Sequence, residues 1–152
     1  MLEIERKFLV DTDKWMPQSE GEKITQGYLS TDKKRVVRVR TKGEKAFLTI
    51  KGETKGITRP EFEYEIPVRD ALQMLTLCKE FVIEKRRYTE VFSDKTWEID
   101  VFENLNKGLV IAEVELEDEN ENVELPGWIT QEVSLDKRYF NAFLSKSPYT
   151  KW

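Results

Sequence analysis

Histidine is absent from the 152 residues, and cysteine occurs once, at Cys78. Without histidine the chain cannot form a triad with a histidine base, a histidine-ligated zinc site or a histidine-ligated haem. A single cysteine excludes an internal disulfide and a cysteine-ligated zinc site. A metal ion would therefore bind to carboxylates, which favour hard, oxygen-seeking ions such as Mg²⁺ or Mn²⁺.

Long apolar runs are also missing, and none approaches the ~18 residues that a membrane span needs. The first six residues already contain Glu3, Glu5 and Arg6 and no apolar signal core. The formal net charge is −4, which argues against nucleic acid as the partner. The length fits one domain of ordinary size. We therefore expect a single cytoplasmic domain that binds neither a membrane nor nucleic acid.

Apolar and polar residues alternate in seven segments, the pattern of strands that bury one face. These segments are 2–10, 37–40, 46–51, 61–66, 82–88, 97–101 and 112–117. Turn-forming residues separate them at close spacing, which indicates an antiparallel meander. Helical spacing replaces the alternation in 69–75, with Asp70 as the predicted cap, and a helix is expected over part of 130–146. The pattern predicts an α+β fold dominated by antiparallel sheet.

One face of the successive strands is almost entirely ionised. Residues two apart on a strand point to the same side, so the charged residues form like-charged pairs. The basic members are Lys7, Arg38, Arg40, Lys51, Lys85 and Arg87. The acidic members are Glu3, Glu5, Glu61, Glu63, Asp100, Glu113 and Glu115. Like charges at this spacing repel, and folding alone does not require such pairs in one strand after another.

Two interpretations account for the charged face. A solvent-facing sheet could carry the charges as weak surface ion pairs. Alternatively, the sheet closes into a barrel whose interior is charged and wet, with the apolar faces outside and covered by helices. Basic pairs in such a cavity would clamp phosphate oxygens, and acidic pairs would hold a divalent metal. Six basic residues are too many for one phosphate, which favours a polyphosphate as the ligand.

The segment Glu3-Ile4-Glu5-Arg6-Lys7 resembles the Glu-x-Glu-x-Lys signature of the CYTH superfamily, the triphosphate tunnel metalloenzymes. The remaining pairs follow in the order of the family, from Arg38-x-Arg40 to Glu113-x-Glu115. Two uncharged stretches also resemble the family, Gln26-Gly27-Tyr28-Leu29 and Arg138-Tyr139-Phe140-Asn141. The resemblance extends over residues 1–152 and indicates one tunnel domain.

This resemblance implies a closed eight-stranded antiparallel barrel, or tunnel, with a few helices packed outside. It also implies a hydrolase that uses Mg²⁺ or Mn²⁺ to cleave the terminal phosphate of a linear triphosphate, with inorganic tripolyphosphate as the first candidate. Other activities stay open: a nucleoside or thiamine triphosphatase, a class IV adenylyl cyclase, or a non-catalytic polyphosphate-binding module. A homodimer is compatible with any apolar outer surface that the helices leave uncovered.

The resemblance also assigns roles to the charged residues. Phosphate would be bound by Lys7, Arg38, Arg40, Lys51 and Arg87. By the resemblance Lys85 would also hold phosphate. If neighbouring cations lower its pKa more than neighbouring carboxylates raise it, Lys85 could instead be the catalytic residue that accepts a proton from the attacking water. The acidic residues would either hold metal ions or orient water and the basic side chains. They are Glu3, Glu5, Glu61, Glu63, Asp100, Glu113 and Glu115.

Overall fold

The computed structural model describes residues 1–78 and 81–152. The strands within these residues are β1 (Leu2–Val10), β2 (Glu22–Ser30), β3 (Val36–Lys42), β4 (Lys45–Lys51), β5 (Thr58–Ile66), β6 (Ile83–Phe92), β7 (Lys95–Phe102), β8 (Val110–Glu115) and β9 (Ile129–Glu132). The α-helices are α1 (Val68–Thr76) and α2 (Asn141–Lys146), and three short 3₁₀ turns occupy Asn104–Asn106, Lys137–Tyr139 and Tyr149–Lys151. None of the helices in these two ranges has the length and apolar content that a membrane crossing requires.

Eight strands close into an antiparallel barrel in the order β1-β5-β4-β3-β2-β6-β7-β8, and β8 pairs with β1. Strand β1 completes the ring, because Glu3 lies opposite Arg59 of β5 and Lys7 lies opposite Glu113 of β8. Strand β9 is a ninth, short strand that pairs with the end of β1, at Phe8 and Val10. The predicted closed eight-stranded barrel with few helices is therefore confirmed, with one additional strand beside it.

Much of the apolar core packs on the outside of the barrel. Trp97 and Ile99 of β7 pack with Phe8 of β1 in the largest outer cluster, which Trp15 helps to cover. Helix α1 covers β3 and β4 and buries Ala71 against them. Because side chains alternate along a strand, the residues between these apolar positions point into the barrel. The charged rows predicted from the sequence therefore face the interior.

The inward rows change from charged to apolar at one end of the barrel. In β1 the row of Glu3, Glu5 and Lys7 continues to Leu9, and in β7 Asp100 is followed by Phe102. Phe102 belongs to one apolar cluster, and Leu9 packs against it. The buried members of this cluster are Tyr28, Val36, Ile83, Phe102, Leu109, Ile111 and Leu144. Leu144 comes from α2, so that helix packs at the apolar end of the barrel.

Three local predictions differ from the structure or were incomplete. Strand β2 was not predicted, because its inward residues Ile24, Gln26 and Tyr28 carry no charge and so break the alternation. Helix α1 begins at Val68 after the N-cap Pro67, so the predicted cap Asp70 lies in the first turn. Its carboxylate is suited to that position by the helix dipole. The helix expected within 130–146 is confined to α2, because β9 and a 3₁₀ turn come first.

Candidate functional site

Two cavities occupy the interior of the barrel, with volumes of about 340 and 440 Å³. The smaller one opens beside α2 and includes Lys7 and Phe140 in its lining. The larger one opens at the opposite end, near Met1 and Glu98. They share four lining residues, which are Glu3, Glu5, Arg38 and Lys51. The cavities therefore meet inside the barrel and form a tunnel with two openings.

Two arginines of β3 carry the strongest signal for an anion. Both are buried, and their Nη2 atoms lie 3.4 Å (Arg38) and 3.6 Å (Arg40) from Oε2 of Glu63. The Nε–H groups of both arginines are buried as well, and neither finds an acceptor among the described residues. Burial, together with nearby Arg38 and Arg87, lowers the pKa of Arg40 to about 10. Buried donors without acceptors are costly, and an anion in the tunnel would satisfy them.

Two lysines, Lys7 of β1 and Lys51 of β4, add positive charge next to the acidic residues of β1. Lys51 Nζ lies 3.1 Å from Oε1 of Glu3 and 3.8 Å from Oε1 of Glu61. Lys7 Nζ lies 3.8 Å from Oε1 of Glu113 and donates a hydrogen bond of 3.1 Å to the carbonyl of Tyr139. Both ammonium groups line the smaller cavity. Both lysines would therefore face an anion bound in that cavity.

Asp100 is the centre of a buried ion-pair network. Its Oδ2 accepts a 2.7 Å hydrogen bond from Lys85 Nζ, and its Oδ1 accepts one of 2.7 Å from Arg87 Nε. Burial opposes ionisation of Asp100, but Arg87 and Lys85 outweigh it and hold its pKa well below the usual range. Burial lowers the pKa of Lys85 to about 8, although Asp100 acts in the opposite direction. Among the described residues, Lys85 and Asp100 are not part of either cavity lining, but Lys85 is in direct contact with Asn141, which lines the smaller cavity.

The carboxylates of β1, β5 and β8 crowd together. Burial, followed by the charges of Glu113 and Glu3, raises the pKa of Glu5 well above its usual range. Burial and a hydrogen bond with Glu3 raise the pKa of Glu61 to about 7. Glu115 lies opposite Glu5 in the strand register, and no described lysine or arginine forms an ion pair with either. Carboxylates that repel one another in this way are stabilised by a bound cation.

These donors suit a divalent metal in their chemistry, since they are oxygen ligands with unbalanced negative charge. In residues 1–78 and 81–152, however, no three Asp, Glu or Cys side chains are already arranged around one point as a finished metal site. A cation would therefore draw the carboxylates together rather than enter a preformed cage.

A sequence profile of the CYTH domain matches residues 1–146. The chain belongs to the CYTH family. An inorganic triphosphatase of Acetivibrio thermocellus is 49% identical over 148 residues, which cover 97% of this chain and 95% of that protein. An inorganic triphosphatase of Nitrosomonas europaea is 37% identical over 153 residues, which cover 97% of this chain and 99% of that protein. A crystal structure of an inorganic triphosphatase is 34% identical with a TM-score of 0.67, and the match covers 94% of this chain and 93% of that one.

The CYTH tunnel brings every predicted site residue onto an inward row of the barrel. The strand register places Arg38 opposite Thr49, Arg87 opposite Asp100 and Glu98 opposite Glu113. The predicted residues do not form one cluster, however. Lys85, Arg87 and Asp100 form the buried network on β6 and β7, while Glu3, Lys51 and Glu61 form a second group across β1, β4 and β5.

Charge-based reasoning missed two uncharged members of the CYTH tunnel, Gln26 and Asn141. Gln26 is fully buried, and its Nε2 donates to the hydroxyl of Tyr28 and to Oδ1 of Asn141. Thr49, which forms a pair with Lys51 in the resemblance to the family, is also fully buried and donates a 2.9 Å hydrogen bond to Glu63. The only signal for Gln26 and Asn141 in the sequence was their position within the two uncharged stretches that resemble the family.

Proposed function

We propose that this protein is a divalent-metal-dependent triphosphatase that removes the terminal phosphate of inorganic tripolyphosphate. The observation that carries the proposal is the pair of buried Nε–H donors of Arg38 and Arg40, which have no acceptor in the described part of the chain, inside a two-ended tunnel. The two curated relatives, which match nearly the whole chain, are inorganic triphosphatases. We further propose that residues 1–152 act as one tunnel domain in the cytoplasm, on a small molecule and without nucleic acid.

In this proposal the phosphate-binding residues are Lys7, Arg38, Arg40, Lys51 and Arg87. Arg38 and Arg40 offer planar forks that suit phosphate oxygens, and Lys7 and Lys51 offer compact point charges nearer the other opening. Arg87 is fixed by Asp100 through two hydrogen bonds of 2.7 and 2.9 Å, so it supplies an oriented positive charge. A linear chain of phosphates fits this arrangement because the cations are distributed along the tunnel rather than gathered at one point.

We propose Mg²⁺ or Mn²⁺ as the metal. The carboxylates that would hold it are Glu3, Glu5, Glu61, Glu113 and Glu115. Glu63 and Asp100 serve instead to orient basic side chains, because Glu63 accepts from Arg38 and Thr49 and both oxygens of Asp100 accept from Lys85 and Arg87. A bound divalent ion would neutralise phosphate charge and favour departure of the leaving group.

Lys85 is our candidate for the catalytic residue. A water oxygen attacks the terminal phosphorus, the bond to the bridging oxygen breaks, and orthophosphate and pyrophosphate are formed. In the general-base version, the neutral amine of Lys85 accepts the proton of that water, and a pKa of about 8 leaves a useful neutral fraction near pH 7. In the alternative version the ammonium stays charged and only stabilises phosphate. The lysines and arginines stabilise the developing charge in either case.

Phosphate release from tripolyphosphate, ATP and thiamine triphosphate, each with Mg²⁺ or Mn²⁺, tests the proposed function. We expect the highest kcat/KM with tripolyphosphate. A preference for either organic substrate would replace the substrate assignment, and cyclic AMP formed from ATP would indicate a cyclase. Tight binding of tripolyphosphate with no product from any substrate would indicate a binding module and contradict the proposal.

The proposed homodimer would use the outer surface of β4 and β5. Ile50, Phe62 and Tyr64 point away from the tunnel there, and all three are exposed by about two fifths or more, at 39%, 44% and 58%. Sedimentation velocity checks the proposal, and a monomer at the highest soluble concentration would contradict it.

A further inference from the structure

Two segments that the proposed mechanism leaves without a role meet beside Lys85. One is the middle of β2, at Gln26, and the other is the first residue of α2, Asn141. Gln26 Nε2 donates to Asn141 Oδ1 at 3.2 Å, and Lys85 Nζ donates to the same oxygen at 3.1 Å. A side chain from the C-terminal part of the chain is thereby tied to the buried ammonium group of β6.

The orientation of the Asn141 amide follows from its two partners. Both Gln26 Nε2 and Lys85 Nζ are hydrogen-bond donors, so the amide must turn its oxygen toward them and its NH₂ group away. Gln26 is itself fixed, since it is fully buried and also donates a 3.0 Å hydrogen bond to the hydroxyl of Tyr28. The acceptor that faces Lys85 is therefore held in place from behind.

This arrangement determines which direction of the Lys85 nitrogen is left for chemistry. Beyond its bond to carbon, the nitrogen has three tetrahedral directions, and Asp100 Oδ2 and Asn141 Oδ1 take up two of them. No third acceptor lies within hydrogen-bonding distance in the described parts of the chain, although the ring of Phe102 is 5.4 Å away. The remaining direction carries a hydrogen in the ammonium form and the lone pair in the amine form.

We propose that Asn141 is a positioning residue that, together with Asp100, aims the free direction of Lys85 at the reacting phosphate or water. The inference rests on the proposed triphosphatase function and adds to it a residue that acts through Lys85. Without the Asn141 acceptor the nitrogen would keep one fixed partner and could rotate about it. A misaimed group slows the chemical step more than it weakens binding, because Arg38, Arg40, Lys7 and Lys51 hold the phosphates independently.

Asn141→Leu tests the proposal, since leucine has a similar volume and no acceptor. We expect kcat with tripolyphosphate and Mg²⁺ to fall ~10–100-fold, while KM changes less than ~3-fold. Gln26→Leu removes the donor that holds Asn141 but leaves both acceptors of Lys85 in place, so we expect a smaller loss of kcat in the same direction. Asn122→Leu, in an exposed loop, is the matched control and should leave both constants unchanged.

A spectroscopic measurement reports the contact independently of turnover. In ¹⁵N-labelled protein, the Nζ signal of Lys85, assigned by its loss in Lys85→Arg, should shift in Asn141→Leu and stay in place in Asn122→Leu. A tripolyphosphatase whose kcat is unaffected by Asn141→Leu, or whose KM alone rises, overturns the inference and leaves the proposed function intact. Wild-type protein without triphosphatase activity contradicts the proposed function instead. If Asn141→Leu does not fold, an unchanged kcat in folded Gln26→Leu overturns the inference.

Discussion

Glu3 and Glu61 share the ammonium group of Lys51, which lies 3.1 Å from Oε1 of the first and 3.8 Å from Oε1 of the second. A hydrogen bond between the two carboxyl groups, which one shared proton would supply, contributes to the pKa shifts of both. The pKa of Glu3 is lowered, because Lys51 and this hydrogen bond outweigh burial, whereas the pKa of Glu61 is raised to about 7. The pair therefore retains one proton until the pH approaches neutrality.

This retained proton predicts a pH dependence of stability for the metal-free protein. The folded state binds more protons than the unfolded state between about pH 4.5, the ordinary pKa of Glu61, and about pH 7. The contribution of Glu61 to the free energy of unfolding therefore falls as the pH rises through that window. Glu61→Gln should remove this slope, so its stability relative to wild type should increase from pH 4.5 to pH 7. Urea unfolding in EDTA measures the effect, with exposed Glu65→Gln as control. Parallel curves for wild type and Glu61→Gln would contradict the assignment.

The second prediction concerns removal of metal. The chain has no histidine, and its single cysteine lies outside the tunnel, so carboxylates are the cation ligands available there. EDTA should abolish phosphate release from tripolyphosphate, and added Mg²⁺ or Mn²⁺ should restore it. Full turnover in excess chelator would remove the metalloenzyme interpretation.

The third prediction concerns the arginine pair of β3. Arg38→Ala or Arg40→Ala removes buried donors that no described residue satisfies. Tripolyphosphate affinity should therefore fall by at least ~10-fold, the scale of a hydrogen bond to a charged group. Isothermal titration calorimetry gives the affinities, and thermal unfolding gives the stability, which should change much less. Arg69→Ala on exposed α1 is the control. Unchanged affinity in both β3 variants would show that these arginines do not bind phosphate.

The fourth prediction separates the two roles of Lys85. Lys85→Arg retains the positive charge, but a guanidinium cannot accept a proton at working pH. We expect this variant to bind tripolyphosphate and to lose ~100-fold or more in kcat, the usual scale of general-base catalysis. Turnover close to that of wild type would refute the base role and leave a carboxylate of the acidic group as the better candidate.

The fifth prediction concerns Asp100 as a structural anion. Asp100→Asn leaves Lys85 and Arg87 buried without a counter-charge, and the free energy of unfolding should fall by about 3–5 kcal/mol. Urea denaturation at neutral pH measures the loss. Asp136→Asn, which removes a surface partner of Arg138, should cost no more than ~1 kcal/mol. Equal losses in the two variants would show that the buried network does not stabilise the fold.

The sequence was most informative where a strand carries charge on one face and apolar residues on the other. In β1, Glu3, Glu5 and Lys7 alternate with Ile4 and Phe8, and the alternation correctly predicted the strand and the separation of its charged and apolar faces. Closure of the barrel came from the family resemblance, because β1 pairs with β5 and β8 across long stretches of chain that no local pattern reports.

The parts of the site that could not be predicted depend on contacts between distant, uncharged residues. Gln26 and Asn141 are 115 positions apart, and neither belongs to a charge pair. The separate roles of the acidic residues could not be predicted either. Glu61 and Glu63 are two positions apart on one strand, yet Glu61 contacts Lys51 and Glu63 contacts the β3 arginines. Which partner each acid faces is set by the stagger of neighbouring strands.

The two openings of the tunnel bear on how products depart. Cutting a linear triphosphate inside the barrel leaves a short and a long fragment lying end to end along its axis. With an exit at each end, neither fragment has to pass the other, and release does not require the barrel walls to separate. Both products can therefore leave the tunnel while the strands stay in place. The architecture does not impose the order in which the two fragments leave.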